Sequence, residues 1–185
     1  MRLGAIGALL LAACGGADPT PPMTAGPRGA YPAGPYGIDK GAIIENLALV
    51  NSDGQSISLE SIYKDGANKI LLITTSAGWC TACIEEQPLL IERHNTYGAR
   101  GLYIMIASFE DDQSRPATPA YASQWKRRYS LPFTVVADQQ FVFGRFYDKA
   151  TTPMVMLVDV AEMKILAKTI GFDKSVIDAI LGARL

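Results

Sequence analysis

Histidine, cysteine and charge are all scarce in this sequence. Its 185 residues include one His and three Cys. The lone histidine, His94, excludes metal sites built on several histidines, and a Ser-His-Asp hydrolase would have to rest on that single residue. Three cysteines are too few for a disulfide scaffold, so each needs its own explanation. Lys and Arg number 17 against 18 Asp and Glu, for a net charge of -1. That balance offers no basic footprint for nucleic acid. Long apolar runs are missing too. A membrane-spanning helix needs roughly 20 residues, and the run from Leu3 to Ala13 has eleven. What is present is core material: 49% of residues are hydrophobic. The length suits one compact domain plus some extra chain.

Residues 1–13 read as a targeting segment. Met1-Arg2 supplies a short positive start, and the apolar run that follows has the length of a signal-peptide core. The junction Leu11-Ala12-Ala13-Cys14-Gly15 resembles the lipobox of bacterial lipoproteins. That resemblance implies diacylglycerol on the Cys14 thiol and a membrane-anchored, extracytoplasmic (periplasmic-side) protein. The alternative is an ordinary secretory signal with a chance cysteine. Residues 14–37 then form a tether. From Gly15 to Gly37 the chain is crowded with Pro and Gly and shows no hydrophobic period, so it cannot bury enough apolar surface to offset chain entropy. At about 3.1 Å per residue it could reach roughly 70 Å.

The folded domain is expected over residues 38–185. Asn46 to Leu59 reads as a hairpin around Asp53-Gly54. Lys69–Thr75 and Gly101–Ser108 are continuous apolar runs suited to buried strands. Helices are expected at about Cys80–Tyr97, Ala120–Tyr129, Gln139–Phe146 and Lys174–Leu185, with a strand at Phe133–Ala137 and a closing hairpin at Met154–Asp159 and Lys164–Lys168. Strands that alternate with helices and end in a hairpin predict an α/β fold with a central mixed sheet flanked by helices.

The chemistry is concentrated in Trp79-Cys80-Thr81-Ala82-Cys83. Residues three apart on a helix are neighbours, so two sulfurs at that spacing can close a disulfide with little rearrangement. The strand-to-helix junction puts Cys80 near unpaired backbone N–H groups, which favour a thiolate. Cys80 is the candidate nucleophile and Cys83 the resolving thiol. Two plainer readings compete: a purely structural disulfide, and half of a zinc site. The second lacks ligands, since about four are needed and no further Cys pair exists.

A buried strand, Trp-Cys-x-x-Cys, Glu86, Pro88 and a distant Thr152-Pro153 resemble the thioredoxin superfamily. The closer resemblance is to membrane-anchored thiol-disulfide oxidoreductases of cytochrome c maturation, grouped with the alkyl hydroperoxide reductase/thiol-specific antioxidant domains. It implies a thioredoxin-like fold with an added N-terminal hairpin and a redox-active Cys80–Cys83 disulfide, with no further cofactor and no metal. It implies that Trp79 borders the docking surface and that Glu86 moves protons to and from Cys83. Pro153 would be cis, and the Thr152 backbone would pair with an extended substrate. The implied partners are exported proteins with Cys pairs, apocytochrome c among them, and a membrane thiol electron donor; the chain is expected to be a monomer. Tyr147 is a further candidate for the groove beside Pro153. Two departures stand out. Thr74 occupies the place of the buried Asp of cytosolic thioredoxins, and Thr81-Ala82 leaves the redox potential open. Two alternatives remain, a thiol peroxidase and a copper-binding module. The first usually wants Thr or Ser where Ala77 stands; the second usually has wider cysteine spacing and another His.

Overall fold

The computed structural model describes residues 26–185, so the targeting segment 1–13 and the lipidation reading of Cys14 lie outside the described residues. At the centre is β3 (Ile70–Ala77), whose eight residues are all buried. A run of Ile, Leu and Thr without polar alternation suits a strand covered on both faces. It pairs parallel with β4 (Leu102–Glu110) and antiparallel with β6 (Met154–Asp159). The other strands are β1 (Ala48–Asn51), β2 (Ser56–Ser58), β5 (Thr134–Ala137) and β7 (Lys164–Ile170). The seven-stranded mixed sheet has the order β2-β1-β5-β4-β3-β6-β7. The hairpin expected around Asp53-Gly54 is the β1–β2 pair, joined to the sheet through β5.

Side chains alternate across each strand, and the two faces collect different helices. Ile70, Leu72, Ile104 and Ile106 pack with Leu90, Trp125, Ile177 and Leu181. Those last four come from α3 (Gln87–Tyr97), α4 (Pro119–Arg128) and α5 (Lys174–Arg184). Leu71, Ile73 and Met105 pack on the other face against Leu59, Ile62 and Phe143, from α1 (Leu59–Lys64) and a 3-10 turn at Val142–Arg145.

Three expectations change. The helix expected over Cys80–Tyr97 is two helices, α2 (Thr81–Glu85) and α3, meeting at Glu86. Pro88 lacks a backbone N–H and is accommodated in the first turn of α3 rather than inside one long helix. The helix expected over Gln139–Phe146 is only the 3-10 turn. Phe141 before it is left-handed, with φ 52° and ψ 44°, and such a residue cannot continue a right-handed helix. Finally, residues 28–37, read above as the end of a free tether, lie on the domain. The Arg28 guanidinium donates to the carbonyls of Tyr63, Asp65 and Asn68 at 2.7, 2.8 and 2.7 Å. Its backbone N–H reaches the Lys64 carbonyl. These acceptors are carbonyls at and just beyond the end of α1, where a cation is favoured. Tyr31 adds an edge-on contact with Tyr63 and a hydrogen bond to the Ile44 carbonyl, and a bridge pairs Tyr36 with Ile43.

Candidate active site

Cys80 and Cys83 form a disulfide where β3 hands over to α2. Cys80 is the residue capping α2, and its sulfur accepts the Cys83 backbone N–H at 3.1 Å. Cys80 is 5% exposed and Cys83 fully buried. Strand β3 can turn this sharply because Gly78 has no side chain: a Cβ there would lie 2.4 Å from both the Asp112 backbone nitrogen and the Tyr121 hydroxyl.

The loop before β6 closes the site. The Thr152–Pro153 peptide is cis, and the Thr152 carbonyl oxygen lies 3.9 Å from Cys80 Sγ. Thr75 Oγ1 accepts the Met154 N–H at 2.9 Å, pinning this loop to the end of β3. Beneath the pair, Cys83 Sγ is 3.8 Å from the Thr75 carbonyl.

Glu86 follows Cys83 by one turn and is 2% exposed. Thr74 donates its hydroxyl proton to Glu86 Oε1 at 2.7 Å, while Oε2 has no partner. Burial pushes this carboxyl up from 4.5 to about 8, against the opposing pull of the Thr74 hydroxyl. A carboxylate with a single hydrogen bond in an apolar setting is poorly solvated, so the proton is retained near neutral pH. Thr74 is therefore the partner of the buried acid rather than a mere substitute for one.

Trp79 stands outside, 44% exposed. Its indole N–H donates to Glu110 Oε2 at 2.7 Å, and the other Glu110 oxygen pairs with Lys149. Lys149 also lies over the Phe109 ring. Glu110 is the last residue of β4 and fixes the indole. Four aromatic rings form a chain along one side of the disulfide. Trp79 meets Phe109 at 6.2 Å, Phe109 meets Phe141 at 4.9 Å, and Phe141 meets Tyr147 at 5.6 Å between centroids. Phe109, Phe141 and Tyr147 pack with Ala77, Cys80 and Cys83. The Tyr147 hydroxyl sits near Thr75 and Thr152 without a well-aligned hydrogen bond, and burial raises its pKa.

The structure thus brings together Trp79, Cys80, Cys83, Glu86, Thr152 and Pro153. Phe109 and Phe141 were not legible as site residues, because nothing local marks an aromatic residue as neighbour to a distant sulfur. Among the described residues no group of three or more His, Cys, Asp or Glu could hold a metal ion.

Solved structures share this fold. A protein provisionally named thiol:disulfide interchange protein DsbE, from Chlorobium tepidum, is 22% identical, with a TM-score of 0.63 over 79% of this chain and 100% of its own. An uncharacterized conserved protein from Geobacillus kaustophilus is 21% identical, with a TM-score of 0.66 over 80% and 84%. The thioredoxin domain of a thiol-disulfide oxidoreductase from Bacteroides vulgatus is 19% identical, with a TM-score of 0.60 over 78% and 99%. These likenesses establish a thioredoxin-like fold. No curated protein matches the chain. The sequence profile of the AhpC/TSA family matches residues 41–177, a span that includes every site residue described above, and the chain belongs to that family.

Proposed function

We propose that this protein is an extracytoplasmic thiol-disulfide oxidoreductase that reduces or exchanges disulfides of exported proteins. The observation that carries the reading is the Cys80–Cys83 disulfide at a strand–helix junction, facing the Thr152 carbonyl and backed by a buried Glu86. In the reduced protein, the Cys80 thiolate attacks a client disulfide. A mixed disulfide forms and one client thiolate leaves. Cys83 then gives its proton to Glu86, through the minor fraction of that carboxyl that is ionised near neutral pH, and attacks Cys80 Sγ, which releases the second client thiolate. Two electrons pass from the cysteine pair to the client; the Cys83 proton rests on Glu86, and the two released client thiolates take up protons from Glu86 and from water. Proton transfer costs little because Glu86, at about 8, is close to the ordinary thiol value of about 8.5. The client chain lies extended, donating a backbone N–H to the Thr152 carbonyl, with Trp79 and Pro153 bordering it.

The disulfide is the only cofactor this chemistry requires. A membrane thiol donor returns the electrons, and apocytochrome c is among the clients suggested by the resemblance to cytochrome c maturation proteins. A lipid on Cys14, removal of residues 1–13 and a monomeric state complete the proposal. No helix among the described residues is long and apolar enough to cross a membrane. A thiol peroxidase is less well supported: Ala77, packed against the cysteines, brings no hydroxyl to Cys80. The test is reduction of a model protein disulfide by the pre-reduced full chain. Cys80→Ser should abolish it, and normal turnover by that variant would refute the assignment.

A further inference from the structure

Phe141 occupies a backbone conformation that favours glycine. Its φ of 52° is in the left-handed region, which a bulky side chain rarely enters. The surroundings hold it there. Asp138 accepts the N–H groups of Val142 and Phe143 through its carboxylate, at 2.7 and 3.1 Å, and that of Phe141 through its carbonyl, at 3.0 Å. The Phe141 ring lies across Gly144, where a Cβ would come within 2.2 Å of it. Two local features therefore combine to place one ring, and strain of this kind points to a role at the site it serves.

That ring completes the aromatic chain beside the disulfide, joining Phe109 to Tyr147 and packing on the cysteine cluster. The chain starts at exposed Trp79 and ends at Tyr147, beside Thr152, where a client backbone would pair. At the rim, the Glu110 and Lys149 charges are paired with each other. An apolar wall with a neutralised rim favours an apolar occupant over an ionic one. We infer that Phe141 is a specificity-determining residue, which makes the site select extended client segments carrying a large apolar residue next to the cysteine under attack. This deepens the oxidoreductase reading and rests on it.

The test uses the pre-reduced full chain and two disulfide-bonded peptides that differ only in the residue after the cysteine, Leu or Ser. The wild type should favour the Leu peptide in kcat/KM by roughly ten-fold or more, the range an apolar pocket supports. Phe141→Gly should cut that preference to about three-fold or less; glycine relieves the left-handed backbone but loses the packing of the ring, so both peptides are compared on protein shown to be folded by its melting transition. Phe141→Asn, which also tolerates the left-handed region, should lose the preference, and Phe141→Tyr should keep it. A wild type without the preference, or ring-deleted variants that retain it, would overturn the inference alone. A wild type that exchanges with neither peptide would overturn the oxidoreductase reading, and this inference with it.

Discussion

Replacing Glu86 with Gln should change how stability depends on pH. In the oxidised protein the cysteines do not titrate, so the buried carboxyl can be examined without them. Its value moves from 4.5 to about 8 on folding. Above pH 4.5 the unfolded chain releases this proton while the folded chain keeps it. The native state then binds more protons, and stability falls as pH rises. The loss runs from about pH 4.5 to about pH 8 at about 1.4 kcal/mol per pH unit, and then levels off. By pH 7 it has reached about 3 kcal/mol, and the whole window amounts to on the order of 5 kcal/mol. That is a large share of the roughly 5–15 kcal/mol by which domains are stable. Gln keeps an oxygen to accept the Thr74 hydroxyl and carries no charge. Its amide adds buried donors with no visible partner, a fixed cost of about 1–3 kcal/mol that does not vary with pH. Denaturant unfolding of both oxidised proteins from pH 5 to pH 8.5 should give curves that diverge, with Glu86→Gln gaining on the wild type at each step. Taking the difference cancels shared contributions, such as that of Asp138, whose value burial also raises. Parallel curves would refute the buried-carboxyl argument.

Two further outcomes follow from the same contacts. Thr74→Val removes the one hydrogen bond that favours ionised Glu86. The carboxyl should rise further, and the pH profile of client release by Cys83 should move to higher pH by about one to two units; a shift to lower pH would contradict the assignment, and Glu86→Gln should abolish this limb of the profile. Arg28→Ala removes three hydrogen bonds from a cation to carbonyls, which should lower stability by about 1–3 kcal/mol and open residues 28–37 to protease, whereas unchanged melting and cleavage would show that the segment contributes nothing.

Much of the frame was legible because local pattern dictates it. The apolar run at Lys69–Thr75 suited a buried strand, found at Ile70–Ala77, and Val176, Ile177, Ile180 and Leu181 are spaced for one side of the end helix. Pro88 marked a disturbance after Cys83. The break itself, at Glu86, turned on how α2 and α3 each dock on the sheet. The expected helix at Gln139–Phe146 failed for a related reason. Nothing in Gln139-Gln140-Phe141-Val142 signals a left-handed residue; the Asp138 caps and the Phe141 ring packed over Gly144 impose it.

Taken alone, the sequence settled the strands, the α4 and α5 helices and which sulfurs stand three residues apart, since propensity, periodicity and spacing act over a few neighbouring positions. Folding decided who those sulfurs and their helpers meet. Thr74 finds Glu86 twelve residues on, Trp79 finds Glu110 thirty-one away, and Arg28 finds Tyr63 thirty-five away. Such meetings depend on strand register and on how helices pack over the sheet, and neither is written in the short-range pattern of the chain.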